Sequence, residues 1–186
     1  MFIQTESTPN PNTMKFLPGQ DVLGTGTAFF TDKENAAKSP LALALFEIED
    51  VRAVFYGGDF ITVTKADNIA WDSLKAPILS TISEHYLSGN PLIIGNEGAK
   101  ATVRTDYSDD EKEIIEQIKE LIETRVRPAV AADGGDIIFH AFKDGIVQLE
   151  LHGSCAGCPS STATLKQGIE NMLKHYVPEV IAVEPV

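Results

Sequence analysis

From Gly89 to Asp109 the chain reads GNPLIIGNEGAKATVRTDYSD. Neither the 3.6-residue period of a helix nor the alternation of a strand runs through it, and Gly89, Gly95, Gly98 and the Asn90-Pro91 step are breaker residues. Inside one small core, such a stretch would strand its backbone polar groups away from water. It therefore divides the 186 residues into two domains, 1–88 and 108–186, joined by a flexible linker over 89–107. The Leu92-Ile93-Ile94 patch is apolar enough to dock on either domain. Apolar residues make up 43% of the chain, so each half can close a core of its own. The net charge of −12 is spread over both halves. It opposes binding to nucleic-acid phosphates or to an anionic membrane, and fits protein partners. No apolar run approaches the ~18–20 residues of a membrane span. The opening MFIQTESTPN has neither a basic n-region nor an apolar h-region, and lacks the Arg-rich look of a transit peptide. The expected setting is bacterial cytoplasm, or an organelle interior after removal of a presequence.

The first half predicts strands at FIQTES, MKFL and GTGTAFF, with the prolines of TPNPN setting a rigid turn. Ser39-Pro40 is a helix start, serine as N-cap and proline at the first helical position. VRAVFYGGDFITVTK reads as a hairpin with Ala53, Phe55, Ile61 and Val63 inward and Phe55, Tyr56 and Phe60 packing around the Gly57-Gly58 turn. A helix over Trp71–Leu87 carries Trp71, Leu74, Ile78, Ile82 and Tyr86 on one face, Trp71 included in the core.

The second half opens on Ser108 with Glu111 three residues later, a capping-box pattern, and Asp109–Glu113 supply negative charge to the first turn. Ile114, Ile118, Leu121, Ile122 and Val126 form the apolar stripe. Arg125 and Arg127 complement the far end of the helix, which Pro128 stops or kinks. Asp133-Gly134-Gly135-Asp136 reads as a turn with caps rather than a metal or recipient contact. DIIFHAF and GIVQLELH are strands joined by Asp144-Gly145, followed by a helix from Pro159 with Leu165, Ile169, Met172, Leu173 and Tyr176 inward, and a last strand in EVIAVEPV. The class is α+β: two small mixed α/β domains, the second of order αββαβ.

HGSCAGCPSSTATL, His152–Leu165, holds both cysteines of the chain, Cys155 and Cys158. Pro159 puts Cys158 near a helix N-cap, where unpaired N–H groups and the helix dipole favour thiolates. A thiolate pair serves disulfide exchange or a soft metal equally. Zinc sites and iron–sulfur clusters commonly take four ligands, and this chain offers two thiols. His152 falls on the strand face opposite Val147, Leu149 and Leu151 and is expected to face solvent; His140 is expected to be structural. A four-thiolate site thus needs one C-x-x-C from each of two chains, as a two-fold dimer supplies. The motif alone leaves metal and redox chemistry open. A thioredoxin-type dithiol is disfavoured by the preceding β-hairpin, where that motif normally follows a βαβ unit.

D-G-G-D at Asp133–Asp136, DGIVQLELHGSCAGCPSSTATLK and GIENMLKHYVPEV together resemble the C-terminal domain of the NifU/Nfu family. FIQTESTPNPNTMKFLPG and SPLALALFEIEDVRAVFYGGDFITVTK resemble the N-terminal domain of Nfu-type scaffolds. The resemblance implies an iron–sulfur cluster scaffold or carrier, not an enzyme. It implies Cys155 and Cys158 as cluster and metal ligands, and a [4Fe–4S] cluster bridging two subunits, with [2Fe–2S] forms also found in the family. It further implies upstream assembly factors as donors and apo iron–sulfur proteins as recipients. Ser154, Ser160 and Ser161 around the thiols suggest an exposed cluster with little apolar cover, open to a recipient's thiolates. Repulsion between two acidic chains favours a homodimer that forms on loading. The alternatives are a thiol–disulfide oxidoreductase and a zinc-linked dimeric binding module.

Overall fold

A computed structural model describes residues 2–95, 107–157 and 159–186, the backbone alone at 159–161. The chain divides into two units, Met1–Ala99 and Lys100–Val186.

The first unit is an antiparallel sheet ordered β1-β2-β5-β4-β3, with strands β1 (Gln4–Ser7), β2 (Thr13–Leu17), β3 (Ala28–Phe30), β4 (Val51–Tyr56) and β5 (Ile61–Lys65). Two helices, α1 (Pro40–Phe46) and α2 (Trp71–Ser88), bury their apolar side chains in the same core. The turn between β1 and β2 is rigid because Thr8 Oγ1 donates to the Asn10 and Thr13 carbonyls at 2.8 and 2.9 Å, and Asn10 Oδ1 accepts from the Asn12 N–H at 3.0 Å. Ser39 caps α1 by accepting from Ala42 N–H at 3.2 Å. Leu74, Ile78 and Ile82 are buried on α2, while Trp71 is half-buried and its indole N–H donates to Pro11 O at 3.0 Å.

One expectation about the hairpin fails. Val54 and Tyr56, not Ala53 and Phe55, face the core with Ile61 and Val63, because the β4–β5 register shifts between Val51 and Ala53. One extra residue there turns every later side chain to the other face. Phe55 is buried on the reverse face between Phe29 and Phe60, at ring centroid distances of 6.3 and 5.9 Å. The Leu92–Ile94 patch docks on this unit: Leu92 packs against its core and Ile94 N–H donates to Lys38 O at 2.6 Å.

In the second unit α3 (Asp109–Leu121) starts on a complete capping box, with Ser108 Oγ accepting from Glu111 N–H and Glu111 Oε2 from Ser108 N–H. Pro128 does not stop the helix. The chain passes through a π turn at Ile122–Val126 into α4 (Arg127–Ala132), which absorbs the hydrogen bond that proline withholds. Ile115 joins Ile118, Ile122 and Val126 in the core, whereas Ile114 and Leu121 are partly buried against it. The π turn redirects Arg125 and Arg127 as well. Arg125 lies over the half-exposed Tyr176 ring, 4.8 Å from its centroid, and Arg127 reaches Asp136 instead of the helix end.

Strands β6 (Gly135–Lys143) and β7 (Ile146–Gly153) form the expected hairpin, with Asp144 and Gly145 at φ 52° and 79° as its turn demands. A register shift between Phe139 and Ala141 leaves His140 exposed. Helix α5 (Pro159–Tyr176) leads to β8 (Ala182–Pro185), which pairs parallel to β7. The αββαβ order therefore holds. The cysteine loop, however, sits at the start of a β7–α5–β8 crossover, so the absence of a βαβ unit no longer argues against a redox dithiol.

Candidate functional site

The loop after β7 is tied down from three sides. Ser154 N–H donates to Gly134 O at 3.1 Å and its hydroxyl to Asp133 O at 2.6 Å, which fastens the loop to the turn before β6. Cys155 N–H donates to His152 O at 3.3 Å and Ala156 N–H to Gly153 O at 3.1 Å, closing the loop on itself. Thr162 Oγ1, in the first turn of α5, donates to Cys155 O at 3.1 Å. Gly134, Gly153 and Gly157 take φ of 84°, 63° and 80°, so the folds of this loop fall at glycines.

Gly135 has another role. A Cβ on it would lie 2.5 Å from Cys155 Sγ and 2.8 Å from His152 O. The sulfur thus rests against a backbone that no side chain separates from it. Beside that contact stands Asp136, 3% exposed, in a two-pronged ion pair with Arg127: Nε to Oδ1 and Nη2 to Oδ2, both at 2.8 Å. Asp133–Asp136 is consequently more than a capped turn. It is the bed of the cysteine loop.

Three expectations change here. Cys155 is 5% exposed, not an open surface thiol. Burial pushes its thiol up to about 12; a hydrogen bond from Ser154 opposes this, and the nearby Asp133 and Asp136 add to it. Helix α5 begins only at Pro159, four residues on, too far to hold Cys155 as a thiolate. His152 is buried to 9% exposure and hydrogen-bonds Glu150 Oε1 at 2.9 Å instead of facing water. Ser154, likewise, is buried and bonded. Cys158 lies outside the described residues, as do the side chains of Ser160 and Ser161. Among the described residues no group of three or more His, Cys, Asp or Glu could hold a metal ion. A soft thiol on a side-chain-free backbone patch, in a loop anchored on its neighbours, suits a thiophilic metal cargo.

Comparison with known proteins decides the family. A family model described as the Nfu/NifU scaffold protein N terminal matches residues 3–89, and one described as the NifU-like domain matches residues 118–184. The chain belongs to the Nfu/NifU-like family. It is 51% identical to an Arabidopsis thaliana protein named "NifU-like protein 5, mitochondrial", over 99% of this chain and 67% of that one. It is also 51% identical to the Homo sapiens "NFU1 iron-sulfur cluster scaffold homolog, mitochondrial", over 100% of this chain and 72% of that one. The chain spans about two thirds of the length of such relatives. A solution structure of a NifU-like protein from Saccharomyces cerevisiae aligns with 52% of this chain and 87% of its own, at 29% identity and a TM-score of 0.46.

Within this Nfu/NifU-like chain, Gly135 and Arg127 do more than the capped turn and the helix end expected of them, and Thr162 had no expected role. The doubled glycine was the available signal for the first. Only Gly134 needs a positive φ, so Gly135 is there for close approach.

Proposed function

We propose that this chain is an iron–sulfur cluster scaffold or carrier. Cys155 and Cys158 from each of two subunits hold the cluster, most simply a [4Fe–4S] cubane with four thiolates, and the cluster passes from assembly factors to apo-proteins. The observation that carries the reading is the seating of Cys155 on Gly135, in a loop hydrogen-bonded to the turn at Asp133–Gly134 and to the start of α5. The scaffold names of the human and fly relatives support it. The buried thiol refines the mechanism. Loading must take a proton from Cys155 and add metal to its sulfur while the loop stays fastened at Ser154 and Thr162. Release reverses this: Cys155 regains its proton as iron leaves. A resting position that favours the protonated thiol thus makes the cluster easier to give up. That is what a carrier needs, and an electron-transfer protein does not. No substrate turnover is part of this proposal.

The relatives' mitochondrial names support a reducing organelle interior as the setting, ahead of a bacterial cytoplasm. No described helix is long and apolar enough to cross a membrane. The oxidoreductase alternative is weakened by the same burial, since an attacking thiol works best with a pKa near ambient pH.

The test is anaerobic reconstitution of the full chain with iron and sulfide. The expected result is about four iron and four sulfide per two chains, a dimer that appears with loading, and transfer to an apo-acceptor. Loss of uptake in Cys155→Ser and in Cys158→Ser supports the ligand assignment. Full loading of the double variant overturns it.

A further inference from the structure

Asp136 brings a negative charge to the edge of the proposed cluster site. Its side chain is 4% exposed. It directly follows Gly135, against which Cys155 Sγ rests, and pairs across the sheet with His152, whose carbonyl accepts the Cys155 N–H. An uncompensated carboxylate here would oppose both the thiolate and an anionic cluster, and would pull the turn toward water.

Arg127 prevents this. Its guanidinium grips both Asp136 oxygens at 2.8 Å, while Nη1 donates to Glu123 Oε1 at 2.6 Å. Asp136 Oδ1 also accepts from Ile137 N–H at 2.8 Å, so the carboxylate is tied to the first residues of β6 as well. The guanidinium therefore links the helix at the π turn to the strand that carries the cysteine bed.

We propose that Arg127 is a positioning residue for cluster holding: by neutralising and fixing Asp136 it keeps the Gly134–Gly135 bed, and through it the Cys155 loop, in place. The part concerning the cluster rests on the scaffold reading; the part concerning the loop does not. A pair with a merely structural role would instead hold the whole unit together evenly.

The experiment compares the full chain with Arg127→Gln and with Arg127→Gln/Asp136→Asn. Amide exchange is followed in the apo protein, and cluster release to a chelator after reconstitution. In Arg127→Gln, exchange at Ser154 and Cys155 should rise roughly tenfold with Val147 and Val183 little changed, and release should quicken roughly fivefold or more. The double variant removes the orphaned charge and should regain most of both losses. Equal acceleration at Val147 and Val183, or a double variant no better than the single one, overturns the proposal. If the unaltered chain takes up no cluster, the scaffold reading falls, and the exchange data alone decide whether Arg127 holds the loop. Should Arg127→Gln fail to fold, Arg127→Lys, which keeps charge but loses the fork, replaces it in the same comparison.

Discussion

Cys155 Sγ lies against the Cα of Gly135, so closely that a methyl group on that carbon would stand 2.5 Å from the sulfur and 2.8 Å from the His152 carbonyl. Neither neighbour can give way cheaply. The carbonyl is backbone, and the sulfur belongs to a loop fastened at Ser154 and Thr162. Gly135→Ala should therefore displace the cysteine loop and destabilise the second unit by about 1–3 kcal/mol, the usual range for overpacking. Urea unfolding measures the stability change. The iron content after anaerobic reconstitution should fall more than stability alone explains. A Gly135→Ala protein that loads and holds its cluster like the unaltered chain would show that this contact is incidental.

The burial of Cys155 makes a separate prediction about its reactivity. A thiol whose pKa is raised above its usual value near 9 is protonated at neutral pH and shielded from reagents. In a Cys158→Ser background, iodoacetamide should label Cys155 far more slowly at pH 8 than it labels an open cysteine, and the rate should climb only as pH passes 9 and approaches 12. Linkage has the same sign. With the folded value above the unfolded one, the contribution to stability is full below pH 9 and is lost as pH rises through 12. Mass spectrometry across this pH range is the measurement. Fast labelling at pH 8 would contradict a buried resting thiol.

Much of the fold was legible because local chemistry and global structure agree. Ser108 and Glu111 make their capping box, Ser39 and Pro40 start α1, and Asp144-Gly145 turns the β6–β7 hairpin. What escaped the sequence were long-range effects of single residues. The register shift near Ala53 reversed the faces of β4, and the π turn swung Arg127 round to Asp136. At the candidate site the motif was plain, but its protonation was not. Spacing from a helix start gives the direction of a dipole, whereas the Cys155 pKa is governed by burial against a strand far away in sequence. His152 was misjudged for a similar reason: strand alternation gives its face, and nothing local says that this face is covered.

His85 gives the first unit a pH dependence. It is buried on α2, 7% exposed, with its Nε2 bonded to no described residue, and desolvation lowers its pKa from 6.5. The unfolded chain then binds a proton more readily than the folded one. The stability contribution is complete above pH 6.5 and is lost as pH falls through the lower folded value. Chemical denaturation between about pH 7.5 and about pH 5, across the histidine range, should show stability declining toward acid. His85→Phe should flatten that decline. An unchanged slope in the variant would assign the acid sensitivity to other groups.

Ser39 offers the sharpest separation of stability from cargo binding. Its hydroxyl accepts from Ala42 N–H to cap α1 and shares a 2.8 Å hydrogen bond with the Tyr56 hydroxyl, both side chains being fully buried. Removing it costs α1 its cap and leaves a buried phenol without that partner, while Tyr56, its pKa already raised by burial, has no access to an ionised escape. Ser39→Ala should thus cost the first unit about 1–3 kcal/mol. Ser39→Ala/Tyr56→Phe should recover part of this, because the hydroxyl that lost its Ser39 partner is gone and the lost cap is not restored. Cluster loading at Cys155 and Cys158 should be unaltered in both variants under conditions where the first unit stays folded, since neither residue belongs to the second unit. Iron counts and denaturation curves on the same samples make the check. A loading defect in a fully folded Ser39→Ala protein would mean that the first unit takes part in holding the cluster.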